Sequence, residues 1–329
     1  MHMADALLAP AVAATMYVAS GAAAGVSIHK LKEDDEPQKL PVMAVTAALV
    51  FAGQMINYTI PGTGSSGHMC GGMLLSALLG PYAGFLSMIV ILAIQCLFFA
   101  DGGLMALGTN VWNMAFYGCF VGYFLIWKPI MRSGASKQKI ILASVLGSVL
   151  TLQMGAFSVV LETAISGITE LPFGAFVMAM QPIHLAIGLV EGLITAAVLC
   201  FIYDARPELL WGIGQTREAE GKLTAGRTLG ILAAVTALVA GILSLFASAL
   251  PDGLEWAMER TAGTSELVSS GAAYETAEGI QNSLSFLPDY AFKGSESAAG
   301  TTVSGLVGAL IVGCICFLIA MLLRNRRKA

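Results

Sequence analysis

The residues best suited to chemistry stand at the start of the chain, Met1-His2-Met3. A histidine in second position offers a metal ion three nitrogens: the terminal amine, its own backbone amide and its Nδ1. Amine and amide close a five-membered ring on the ion, and amide and imidazole close a six-membered one. Such a donor set favours a flat geometry and a metal able to displace an amide proton, which points to Ni(II) or Cu(II). A fourth nitrogen would complete the square, and the other histidines are His29, His68 and His184. The bulky second residue is expected to keep Met1 from being trimmed. With no basic n-region before Leu7 and no clear A-x-A site, the amine is expected to persist in the mature chain.

The elements that must position these groups are membrane helices. The 329 residues are 57% hydrophobic and 12% charged, with a mean hydropathy of +0.78. That is about half the ~25% charge usual in soluble domains. Several apolar stretches reach the roughly 20 residues that span a bilayer, and none has the short alternating segments of an outer-membrane barrel. The expected fold is an all-α polytopic membrane protein with about nine transmembrane helices, over residues 5–29, 41–59, 69–82, 84–100, 104–127, 139–165, 175–203, 228–249 and 302–323. The third is short, closing at the Gly80-Pro81 break, and reads as tilted or partly re-entrant. The six cysteines lie in or beside these stretches without zinc-ligand spacing, and read as small packing residues.

Charge sets the orientation. With the N-terminus outside and the C-terminus in the cytoplasm, 15 of the 17 Lys and Arg fall on inner loops, leaving only Arg260 and Lys293 outside. The positive-inside rule favours that arrangement; the expected location is the cytoplasmic membrane of a prokaryote. It places Met1, His2 and the Gly/Ser loop Ile60–His68 on one side, and makes His68 the preferred fourth ligand. His29 falls at the other end of the first span, beside the charged run Lys30 to Lys39.

Other polar residues, in the spans or in the outer loops and turns beside them, are candidates for function, and within a span an unpaired polar group in lipid is costly. Asn57, Ser66, Asp101, Asn110, Glu162, His184 and Glu191 form this group. Asp101-Gly102-Gly103 reads first as a turn. His184 and Glu191, seven apart, share a helix face and read first as partners joining helices. Ala44, Ala48 and Ala52, and Gly21 and Gly25, have the four-residue spacing of close helix packing.

A polar linker at 204–227 divides the chain into a metal-binding membrane unit, 1–203, and a two-helix unit, 228–329. The second unit carries a long outer loop, 250–301, with eight acidic residues against two basic ones. It reads as a solvated acidic loop, with cation concentration the sharper alternative. The sequence has no G-x-x-x-x-G-K-[ST], His-Glu-x-x-His or G-x-S-x-G motif, so the chain reads as a non-enzymatic transport or binding component without its own ATPase site.

Several motifs carry a family resemblance: the Met-His-Met-Ala-Asp start, Ser65-Ser-Gly-His-Met-Cys-Gly-Gly72, Ala100-Asp-Gly-Gly-Leu104 with Leu107-Gly-Thr-Asn110, and His184-Leu-Ala-Ile-Gly-Leu-Val-Glu-Gly192. They resemble the CbiM/NikM substrate-binding (S) components of energy-coupling factor (ECF) transporters for cobalt and nickel. Pro251-Asp-Gly-Leu-Glu255 resembles a NikN-type accessory segment, here fused at the C-terminus. The resemblance implies a seven-helix S-component plus a two-helix extension. Its metal would be held by the Met1 amine, the His2 amide and imidazole, and His68. It also implies a transmembrane coupling (T) subunit and two ATPase (A) subunits as partners, Ni(II) or Co(II) as transported ion, and no permanent cofactor. Met3 is not counted as a ligand. Outside this class stand a proton-coupled secondary transporter using Glu162, His184 and Glu191, and a membrane scaffold or sensor.

Overall fold

The computed structural model of the chain describes all residues except 33–38, 214–222, 266, 295–296 and 326–329. Arg217, Lys222, Glu266, Glu296, Arg326, Arg327, Lys328 and much of the run between Lys30 and Lys39 therefore lie outside the described residues.

Glycine, proline and capping residues cut the apolar sequence into helices near the expected places. These are α1 (Pro10–Lys32), α2 (Lys39–Gln54), α3 (Gly72–Leu79), α4 (Pro81–Phe99), α5 (Leu107–Met131), α6 (Lys137–Ser166), α7 (Phe173–Ala205), α8 (Ala225–Gly241), α9 (Gly253–Ala262), α10 (Ala272–Leu284) and α11 (Ala298–Asn325). Gly80, at φ 80°, separates α3 from α4, and Pro81 opens α4 at a position where its missing N–H costs nothing. Ser136 and Thr224 cap α6 and α8 through their hydroxyls. Helix α5 is wound as a π-helix through Val111–Trp127.

Six of these helices are long and apolar enough to cross a membrane: α1, α4, α5, α6, α7 and α11. Helices α2 and α8 are shorter apolar helices. The third expected span is α3, a helix of 8 residues buried along its whole length. At ~1.5 Å per residue it covers less than half of a bilayer core. It is held by protein on all sides, not by lipid.

Of the six long helices α4 lies deepest, while α1 and α11 are peripheral. Phe51, Phe85, Phe99, Trp127 and Phe176 are fully buried and anchor the core. Helix α11 packs on α2 across the small residues: a Cβ at Gly313 would stand 3.4 Å from Ala44 O. Gly21 and Gly25 of α1, by contrast, meet no neighbouring atom within 4 Å.

The segment expected to be a flexible Gly/Ser loop is instead an antiparallel hairpin, β1 (Tyr58–Ile60) and β2 (Ser65–Gly67), with Thr59 opposite Ser66. Pairing satisfies backbone groups that could not stay bare at this depth. Nor is 250–301 a freely solvated loop. It forms α9 and α10 and lies back on the hairpin and near the chain's start: Ser66 N donates to Pro251 O at 2.8 Å and Tyr274 Oη to Leu8 O at 2.8 Å.

Candidate metal-binding site

The first residues are threaded into the bundle and pinned there through their backbone. Met3 is fully buried. Its N–H donates to Asn110 Oδ1 at 2.8 Å, and its carbonyl accepts from Asn110 Nδ2 at 3.2 Å and from Gly103 N at 2.9 Å. Asp5 Oδ1 accepts from Ala106 N at 2.9 Å, which holds the next turn. This close approach requires glycine. A Cβ at Gly103 would collide with the Asp5 carboxylate and stand 2.5 Å from Asp5 N, and Gly102 sits at φ +80° beside His2.

The threading brings the Met1 amine to 3.1 Å from His68 Nε2 and to 2.7 Å from Asp252 Oδ2. His68 follows β2 directly, and its Nδ1 lies 3.1 Å from the Met69 carbonyl. The Nδ1–H donates there, so Nε2 turns a lone pair toward the amine. Burial, reinforced by the ammonium and His2, pushes the His68 imidazole down to about 3. Burial also lowers His2. Burial opposes charge on the Met1 amine, but the Asp252 carboxylate outweighs it and raises the amine above its ordinary value. Burial opposes charge on Asp252 too, yet the ammonium holds its carboxyl well below the usual range.

The His2 ring stacks on that of His68. Its Nδ1 lies 3.1 Å from Asp101 Oδ1 and its Nε2 3.2 Å from Gln95 Oε1. A neutral ring carries one N–H, so it donates to one of these two oxygens and not to both. The nitrogen that a chelate would use is thus turned onto Asp101, which also accepts a 2.6 Å hydrogen bond from Tyr290 Oη. Among the described residues, no three His, Cys, Asp or Glu side chains converge as a metal-holding group. A nitrogen-rich site here must draw on the main chain.

The remaining polar residues of the bundle surround this point, and Asn57 also lines the cavity over it. Glu191 accepts from Cys70 N at 2.8 Å and Gly71 N at 3.0 Å, which fixes the turn after His68. Ser66 spends its N–H on Pro251 O and its hydroxyl on Leu250 O, tying down the C-terminal segment. Asn57 serves the same segment through its carbonyl. Glu162 accepts from Asn113 Nδ2 at 2.6 Å. His184 Nδ1 donates to Met180 O at 2.7 Å, and no hydrogen bond joins it to Glu191 among the described residues. His29 sits in the last turn of α1, about five turns beyond its first residue.

A cavity of ≈ 680 Å³ opens over His2 and His68. Asp5, Asp101, Asp252, Glu255, Glu278 and Asp289 line it, with no Lys or Arg among the described lining residues. Such a mouth concentrates cations. Neither Asp252 nor Gln95 stands out in the sequence as a site residue. Asp252 carries one local signal, the N-cap and N3 pair Asp252/Glu255, which foretells a helix start but not what it faces.

Two family models match the chain: one described as a cobalt uptake substrate-specific transmembrane region, over residues 2–209, and the PDGLE domain, over 226–325. The chain is 38% identical over 320 residues to a protein described as a putative fused nickel transport protein NikMN from Archaeoglobus fulgidus, covering 96% of this chain and 97% of that one. It is 32% identical to the cobalt transport protein CbiM of Sorangium cellulosum, covering 67% of this chain and 99% of that one. A crystal structure of a truncated transition metal transporter superposes with a TM-score of 0.54 at 30% identity, covering 61% of this chain and 98% of the other.

Proposed function

The chain belongs to the cobalt-uptake substrate-specific transmembrane family, with a PDGLE domain following, and from that premise we propose that it is the substrate-capture component of an ATP-driven ECF importer of nickel. The Met1 amine, the His2 amide and Nδ1, and His68 Nε2 hold Ni(II) in a square of nitrogens. The observation that carries this reading is the approach of the Met1 amine to His68 Nε2, 3.1 Å apart across 67 residues of sequence. The acidic mouth supplies the field that draws a dication in. A transmembrane coupling subunit and two ATPase subunits provide the hydrolysis, and reorientation within that complex releases the ion inward.

Nickel is favoured by the flat four-nitrogen set and by the fused nickel transport relatives. Cobalt uptake by the same mechanism is the second reading, favoured by the cobalt-type relatives. The test is nickel and cobalt titration of the purified chain with an untagged N-terminus, beside His68→Ala and a form with one residue inserted before His2. Stoichiometric binding with a yellow, diamagnetic nickel spectrum, lost in both variants, is expected. Tight binding that survives both changes overturns the site.

A further inference from the structure

Asp252 lies 251 residues from Met1, in the C-terminal part of the chain, yet it is the nearest partner of the terminal amine. Its two oxygens have separate tasks. Oδ1 accepts from Leu254 N at 2.8 Å and Glu255 N at 2.9 Å, capping α9, while Glu255 Oε2 accepts from Asp252 N at 3.0 Å. This reciprocal cap fixes the carboxylate, and Oδ2 is thereby aimed at the amine.

The turn that carries Asp252 is itself fastened to the hairpin that carries His68. Ser66 N donates to Pro251 O at 2.8 Å, and Trp256 Nε1 donates to Thr63 O at 3.0 Å. Gly253 seats the turn against α7, where a Cβ would stand 2.9 Å from Ile187 Cδ1 and 3.0 Å from His184 Cε1. Amine, hairpin and carboxylate therefore form one fastened unit.

We propose that Asp252 is a positioning residue for metal capture, holding the Met1 amine beside His68 Nε2 before the ion arrives and keeping hold of it afterwards. The proposal rests on the reading that this amine is a metal ligand. An ammonium has three N–H bonds and a metal-bound amine keeps two, so a hydrogen bond to Oδ2 survives the exchange of proton for metal. The carboxylate also offsets part of the dication's charge. The C-terminal part thus shapes the site without touching the ion. Partners that orient a metal ligand typically change affinity about 10–100-fold.

The test uses the full chain with its native first residue, titrated with nickel chloride. Asp252→Asn and Asp252→Ser keep a good helix cap but not a second oxygen for the amine. Asp252→Glu keeps the charge and forfeits the cap. A residue that only caps α9 would show native affinity in the Asn and Ser forms and a defect in the Glu form. The proposal expects the reverse: about 10–100-fold weaker nickel binding for Asn and Ser with helical circular dichroism unchanged, and partial recovery for Glu. Native affinity in both the Asn and Ser forms overturns it. One residue inserted before His2 separates the two ideas. Unaltered binding there overturns the amine ligand and this proposal together. Binding abolished there, with native Asn and Ser forms, overturns this proposal alone.

Discussion

The imidazole rings of His2 and His68 lie stacked, with centroids 5.2 Å apart and planes 17° from parallel. Ring nitrogens point their lone pairs within the ring plane, so an ion bound by both rings would have to lie in two nearly parallel planes at once. The proposed capture by both rings therefore requires one of them to turn. His2 is that ring, because its Nδ1 is engaged by Asp101 whereas the His68 Nδ1 is anchored on the Met69 carbonyl. Nitrogen NMR of the histidine rings checks this. Nickel is expected to perturb His2 Nδ1 and His68 Nε2 and to leave His68 Nδ1 bonded as before. Perturbation of the His68 ring alone would exclude His2 as a ligand.

The proposed chelate also predicts a pH dependence with a definite sign. The amine is raised above its ordinary value, so it is charged at neutral pH, while the His68 imidazole is neutral down to about 3 and burial lowers His2. Chelation must expel one proton from the amine and one from the amide, and none from a neutral imidazole. Affinity is thus expected to climb as pH rises toward the amine's pKa, by about 100-fold per unit near neutrality. Calorimetry in two buffers of different ionisation enthalpy should count about two protons released per nickel at pH 7. An affinity flat between about pH 6 and 8 would rule out the amine–amide chelate.

Asn110 makes two hydrogen bonds to the backbone of Met3 and is itself buried. Asn110→Ala leaves the Met3 N–H without its partner, at about 1–3 kcal/mol, while the Met3 carbonyl keeps its bond from Gly103 N. The chain keeps its helices, but the first three residues lose their register. Nickel affinity should fall at least about 10-fold, as an orienting partner's loss usually costs, with helical circular dichroism unchanged. Undiminished affinity would show that the metal does not depend on the threaded N-terminus.

Glu191 separates the capture mechanism from a proton relay. Its carboxylate accepts from Cys70 N and Gly71 N, so Glu191→Gln, with one acceptor oxygen, leaves one of these N–H groups unpaired. A loss of about 1–3 kcal/mol in stability is expected, with nickel binding weakened far less than in His68→Ala and uptake reduced in proportion. A proton relay through this carboxyl would instead abolish uptake while binding stayed intact. Thermal unfolding, nickel titration and vesicle uptake on the same variant decide between them.

The membrane helices were legible because burial in lipid demands long apolar runs, and because glycine, proline and small hydroxyl residues mark helix ends for local reasons. Gly80-Pro81 ends α3 as expected, and Ala44 and Ala48 form the face on which α11 packs. That Met1 and His2 could close a chelate was likewise legible as a proposal, since a terminal amine, the next amide and its histidine are neighbours by covalent geometry alone. The role of 60–68 was not. Its Gly/Ser content reads as flexibility, whereas pairing of Thr59 with Ser66 turns it into a hairpin.

What only the tertiary structure decided is what meets the N-terminus. Asp252 reads in sequence as one acidic residue among eight in a solvated loop. Its helix-cap signature is local, but the 2.7 Å contact with the Met1 amine depends on how α9 is seated against the hairpin and α7. The same holds for Asn110 on Met3 and for Asp101 on His2. Sequence determines the chemistry that neighbours along the chain can perform and which segments enter the membrane. The partners that orient and charge that chemistry come from distant segments, and the packing of the whole bundle sets their approach.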